Sequence, residues 1–355
     1  MPYYTPLRYP GGKRRLVPVI TSLLEANGLR DITYAEPYAG GMAVGLALLF
    51  EEYASTIHVN DLSRPVYAFW HTILNDTTEF CRKIEKTEVT ISEWHRQRAV
   101  YEAKESADLS DLGFAALFLN RTNRSGIIAG GVIGGKEQAG AWSLDVRFNK
   151  AELIHRIRKI GRYSSRVHLY QRDALEFTNE VAPQLGANTF FFYDPPYIER
   201  GQDLYLNDYD LDDHRKLADH IVLLDHPWIV TYDAAAVQHG LFSRQRRVMY
   251  DLSYVAQSRY DGREVLFLSD NLALPAPWQP ASPFLMAITQ SGRRLHGILE
   301  AMKPKPHPEM EEGQQAAERF VSALKTVLMV PKSAVPNPLK KPAQKKQKGQ
   351  SAVKA

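Results

Sequence analysis

Cysteine is almost missing from this chain of 355 residues; Cys81 is the only one. A lone thiol excludes an intrachain disulfide framework and suits a reducing, cytoplasmic compartment. No apolar run reaches the ~20 residues that span a bilayer, so no membrane association is expected, and the start of the chain lacks a signal-peptide pattern. There is no internal repeat at solenoid periods. The glycine spacing is not the Gly-x-Gly-x-x-Gly of dinucleotide binders, and no Lys-Ser/Thr pair closes a phosphate loop, so nicotinamide and ATP are poorly supported. A metal site is not expected either. Asp212-Asp213-His214 has no second histidine or carboxylate at a suitable helical spacing and reads as a capped helix start.

Acidic residues are missing from one stretch. From Pro331 onward there are seven lysines and no acids, which leaves 37 basic against 40 acidic side chains in residues 1–330. The formal net charge of +4 therefore resides in the tail, and any grip on a polyanion by the rest must come from a local patch. This Lys-, Pro- and Gln-rich tail has the composition of a disordered segment, adding non-specific phosphate attraction or only solubility. Pro304 to Met310 reads as a linker, and Gln314 to Met329 as a short amphipathic helix.

The most informative stretch that is present is Phe190-Phe191-Phe192-Tyr193-Asp194-Pro195-Pro196-Tyr197. An apolar strand runs into two prolines, which fix φ and offer no N–H, so the strand must end in a stiff turn. Carboxyl ends of strands are where open α/β sheets bind ligands. That turn sets a carboxylate (Asp194), a carbonyl outside the ladder (Pro195) and an aromatic ring (Tyr197) around a flat polar substrate; the alternative is an ordinary Pro-rich turn. A second turn, Glu36-Pro37-Tyr38-Ala39-Gly40-Gly41, joins a short strand (Ile32 to Ala35) to an apolar helix (Val44 to Phe50), where glycines let a ligand approach the backbone and the helix N-terminus. The next strand, Thr56 to Asn60, ends in Asp61, which suits a ribose diol or, equally, a helix N-cap.

Together with Pro6-Leu7-Arg8-Tyr9-Pro10-Gly11-Gly12-Lys13, Asn60-Asp61, Phe118-Leu119-Asn120-Arg121-Thr122 and Arg172-Asp173, these motifs resemble the Dam-like DNA adenine-N6 methyltransferase family, in that family's order and over roughly residues 6 to 270. The resemblance implies an α/β protein: a Rossmann-like methyltransferase sheet with an inserted, mainly helical target-recognition domain. It implies S-adenosylmethionine as cofactor and double-stranded DNA as partner. Carried over by position, it makes Tyr9, Gly12 and Lys13, the turn Glu36, Pro37, Tyr38, Ala39, Gly40 and Gly41, then Asp61, Asp173 and Asp194, the cofactor-binding residues. Asp61 would take the ribose and Asp173 the adenine amine. Asp173 also reads as the N-cap of the helix starting at Ala174, with Glu176 at the capping-box position. Asp194, Pro195, Pro196 and Tyr197 would be catalytic: the Asp194 carboxylate and Pro195 carbonyl accept the two N–H bonds of an exocyclic amine, and Tyr197 stacks on a base taken out of the duplex. Cytosine C5 methylation is disfavoured because it needs a thiolate, and Cys81 reads as a core residue.

The domain boundaries expected are 1–63 for the cofactor part, 64–162 for the insertion, 163–275 for the catalytic part, 276–330 for an extension and 331–355 for the tail. Within the insertion an apolar helix from Asp111 to Asn120 leads into Asn120-Arg121-Thr122-Asn123-Arg124, expected as an exposed polar run. A glycine-dense loop ending at Lys136 follows. These residues are the expected DNA contacts, against the alternative of a solvated surface loop. Gly201 to Asp213 is expected to close over the base, and Tyr254 and Arg259 are weaker contact candidates. Cytosine-N4 transfer and a catalytically silent DNA-binding protein of the same fold are the other readings. A cognate restriction endonuclease would be a partner by function rather than by contact, and the oligomeric state is left open.

Overall fold

The computed structural model describes residues 3–9, 12–198, 209–255 and 259–275, with backbone alone over 251–263. The expected linker, helix and tail beyond residue 275 lie outside the described residues, as do residues 201–208 of the segment expected to close over the base and the side chains of Tyr254 and Arg259.

Seven strands form one mixed sheet in the order β3-β2-β1-β4-β5-β7-β6. They are β1 (Ile32–Glu36), β2 (Ala54–Asn60), β3 (Val167–Tyr170), β4 (Thr189–Tyr193), β5 (Trp228–Asp233), β6 (Arg246–Val255) and β7 (Arg259–Leu268). The first five run parallel, and β7 pairs antiparallel with both β5 and β6. Chain order reverses between the neighbours β1 and β4, which makes this the topological switch point whose crevice opens at the carboxyl ends of the strands.

β4 is buried along its whole length, as a central parallel strand covered on both faces must be. Its side chains alternate: Phe190 and Phe192 enter one core, Phe191 and Tyr193 the other. On the Phe190 side lie α1 (Val17–Ala26) and α2 (Ala43–Phe50), together with α3 (Arg64–Asn75), α4 (Thr77–Lys86), α5 (Ile91–Glu102), α6 (Leu109–Thr122) and α7 (Lys150–Gly161). On the Phe191 side lie α8 (Ala174–Val181), α9 (Leu211–Ile221) and the short α10 (Ala235–Gln238). The segment 64–162 is therefore mainly helical, and its apolar faces share one buried cluster with α1, α2, β1 and β2. Cys81 in α4 is buried there. Gly113 lets α6 cross α3 closely, since a Cβ at that position would stand 2.6 Å from the Ala68 carbonyl oxygen. The described residues contain no helix long and apolar enough to cross a membrane.

Candidate active site

At the switch point, β4 ends and Asp194 follows at once, with Pro195 and Pro196 buried behind it. Two side chains hold the carboxylate. Thr231 of β5 donates to Asp194 Oδ1 at 2.7 Å, and the Lys13 ammonium lies 3.0 Å from the same oxygen. The Asp194 side chain is 20% exposed whereas that of Lys13 is 3% exposed, so the carboxylate is both fixed and reachable.

Lys13 opens the 3-10 turn Lys13–Leu16 that leads into α1. Its Nζ donates to the Tyr197 hydroxyl at 2.7 Å and stands 3.9 Å from Glu264 Oε1. Tyr197 in turn donates to Glu264 Oε1, and the Tyr250 hydroxyl donates to Glu264 Oε2 at 2.6 Å. Sheet register explains the arrangement. Glu264 of β7 pairs with Asp233 at the tip of β5 and with Tyr250 of β6, which brings a carboxylate from the terminal hairpin into the crevice. Glu264 is 1% exposed, and burial is the main force pushing its carboxyl above the usual range, opposed by Lys13 and the two tyrosine hydroxyls. Burial, then the charges of Asp194 and Glu264, push the Tyr197 phenol well up, so it remains a donor.

The glycine turn is braced from several sides. Asp61 Oδ2 accepts from Gly40 N at 2.8 Å and Oδ1 from Ser63 N at 2.9 Å. Burial lifts the Asp61 carboxyl to about 6 against those two N–H donors. Trp70 of α3 donates to the Gly40 carbonyl at 2.9 Å, and Asn60 ties Pro37 O to the Arg172 backbone. Tyr9 lies flat against the turn: a Cβ at Gly40, where φ is +45°, would sit 2.8 Å from its ring, and one at Gly41 would sit 3.0 Å from its Cβ. Gly12 is exposed and donates to the Tyr9 carbonyl. Ala39 N donates to Asn60 O at 2.8 Å. Glu36, at the end of β1, is 4% exposed, and burial pushes its carboxyl well up. Its Oε2 has no partner in hydrogen-bond geometry, with the Tyr34 hydroxyl and the Gly45 backbone beside it. Asp173 is the N-cap of α8, accepting from Leu175 N at 2.8 Å. It also accepts from Tyr209, whose hydroxyl is 3.1 Å from that of Tyr38.

The polar run at the end of α6 differs from its expected exposure. Asn120 is buried: its amide accepts from Arg8 N at 2.8 Å and donates to Arg8 O and Gly126 O at 2.7 Å each. Thr122 is buried and bonds Phe118 O. Asn123 is buried, accepts from Trp94 Nε1 at 2.7 Å and donates to Ile127 and Ile128 carbonyls. Backbone groups outside the ladders claim Asn120 and Asn123 and a helix carbonyl claims Thr122, so all three side chains are buried rather than exposed. Arg121 is half-buried and donates to Pro6 O. Burial, reinforced by the charges of Arg156 and Arg8, lowers its pKa to about 9. Arg124 and Lys136 are exposed. Asp212 and Asp213 stand in the first turn of α9, which Asp210 and Asp213 close as a capping box, and His214 bonds the Tyr232 hydroxyl.

No motif announces Glu264, Thr231, Tyr250 or Trp70. The one available signal for Glu264 is a carboxylate directly before the apolar run Val265 to Leu268, where a charge that is buried needs a partner.

An open, largely parallel sheet with a carboxylate-proline turn at its switch point and a glycine turn beside it makes this a Rossmann-like α/β protein. Residues 9–249 match the D12 class N6 adenine-specific DNA methyltransferases, and the chain belongs to that family. It is thus a methyltransferase acting on the N6 amine of adenine in DNA. No curated protein matches the chain. Among solved structures it is similar to the crystal structure of a putative RNA methyltransferase from Pyrococcus horikoshii. That match has 8% identity and a TM-score of 0.35, covering 74% of this chain and 86% of the other; a likeness at that level carries no argument. Family membership implies S-adenosylmethionine as the usual methyl donor. The residues present fit it: a glycine turn at the carboxyl end of β1, a buried Asp61 behind it, and an orphaned buried oxygen on Glu36.

Proposed function

We propose that the chain methylates adenine extruded from duplex DNA, at one short target sequence, with Asp194 as the acceptor that orients the N6 amine. The observation that carries this reading is the position of Asp194, pinned by Thr231 at the carboxyl end of β4 yet open to solvent. An adenine amine is a weak nucleophile because its lone pair is delocalised into the ring. Donating its two N–H bonds to the Asp194 carboxylate and the Pro195 carbonyl localises that pair and aims it for in-line attack. The donor's sulfonium supplies the leaving group, so no covalent intermediate on the protein is needed. Asp194 acts first as an orienting acceptor and takes the departing proton late.

Asp61 would hold the ribose, Asp173 with Tyr38 would border the cofactor's adenine, and Glu36 and Lys13 would lie toward its methionine end. Tyr197 would stack on the extruded base. The helical layer 64–162 would carry target recognition, with exposed Arg124 and Lys136 as its DNA-facing cations.

The test is single-molecule sequencing of DNA from cells expressing the protein beside cells expressing Asp194→Ala. N6-methyladenine in one short motif, absent with the variant, is expected. N4-methylcytosine in its place would overturn the base assignment, and methylation retained by the variant would overturn the role of Asp194.

A further inference from the structure

The arrangement around Lys13 leaves the amine acceptor already engaged. Asp194 Oδ1 takes the Thr231 hydroxyl at 2.7 Å and faces the Lys13 ammonium at 3.0 Å. An incoming amine must compete with that ammonium. Lys13 is 4% exposed, and a buried cation that loses its carboxylate without replacement is strongly destabilised. A second carboxylate stands ready. Glu264 Oε1 is 3.9 Å from Lys13 Nζ, so a shift of about 1 Å makes a charge-assisted hydrogen bond. The Tyr197 hydroxyl already bridges the two, accepting from Lys13 at 2.7 Å and donating to Glu264. Tyr250, 2.6 Å from Oε2, fixes the other oxygen.

We propose that Glu264 is a positioning residue that takes over the Lys13 ammonium when the target amine claims Asp194. The lysine holds the empty site together as a stand-in for the substrate's amine, then swings to Glu264 and leaves the acceptor to the base. Because Tyr197 is bonded to both partners, the handover also sets the ring that meets the base. The inference rests on the reading of Asp194 as the amine acceptor.

A double-mutant cycle tests it, using duplexes of the target sequence found by sequencing that keep adenine at the target position and carry 2-aminopurine as its neighbour, whose fluorescence rises when the adenine leaves the stack. Glu264→Gln keeps an acceptor for both tyrosines but removes the charge. In the Lys13 protein it is expected to lower the bound-state fluorescence and the single-turnover rate on the order of tenfold, the worth of one charge-assisted contact. In a Lys13→Gln background, with no ammonium to relocate, the same substitution should leave the fluorescence unchanged. If Glu264→Gln fails to fold, Glu264→Asp sets the charge one methylene back and is read the same way. An equal effect in both backgrounds, or none in either, overturns the handover while leaving the role of Asp194 intact. A wild-type protein that methylates without any fluorescence rise refutes base extrusion, and the handover with it.

Discussion

Asp61 makes a demand on pH that belongs to the residue alone. Its carboxyl is lifted from 3.8 to about 6 by burial, so the protonated form is favoured in the fold. That contribution to stability is full below about 4 and is lost as pH rises through about 6. Binding of a ribose diol has the opposite preference, because its hydroxyls donate to the carboxylate. Affinity for S-adenosylmethionine or its demethylated product is therefore expected to fall, by up to about tenfold per pH unit, as pH drops below about 6. Calorimetric titration across pH 5 to 8 measures it, and a flat profile would remove Asp61 from the ribose site. At this scale the sequence was readable for the positions of residues in turns. Asp194, Asp61 and Asp173 stand at strand ends as their flanking residues predict. Glu264 was not readable, because only the register of β7 against β5 and β6 carries it into the crevice, and register is a property of pairing between distant segments.

Elements were legible where periodicity was strong. The strand through Ile32–Ala35, the strand through Thr56–Asn60 and the helix through Leu112–Leu119 fall where their patterns place them. The exposure of the polar run at the end of α6 was not legible, because Asn, Arg and Thr look alike whether they meet solvent or satisfy a stray backbone. Here the Asn120 amide clasps both polar groups of Arg8, so the helix end holds the segment that leads to Lys13. Asn120→Ala is expected to cost about 1–3 kcal/mol of stability and to weaken cofactor binding. The salt dependence of DNA binding should be unchanged, since no phosphate contact is lost. A shallower salt slope in the variant would restore Asn120 to the DNA interface. Gly113→Ala forces α6 away from α3, where the added methyl meets the Ala68 carbonyl at 2.6 Å. A loss of about 1–3 kcal/mol is expected in denaturant melts, and an unchanged midpoint would mean that the helices separate freely.

Charge is distributed unevenly over the whole molecule. With 37 basic and 40 acidic side chains before residue 331 and seven lysines after it, the tail dominates the net charge. Removing residues 331–355 is expected to flatten the dependence of DNA affinity on salt and to leave cofactor affinity untouched. Identical slopes would restrict the tail to solubility.

The partnership of Lys13 with Asp194 and Glu264 joins the beginning of the chain to its last described hairpin. A nascent polypeptide consequently has Lys13 and Asp194 once β4 is made but lacks their second carboxylate, Glu264, until β7 has been synthesised and has paired. Truncated products that stop short of the hairpin would hold every recognisable motif and still lack Glu264 and with it the second partner of Lys13.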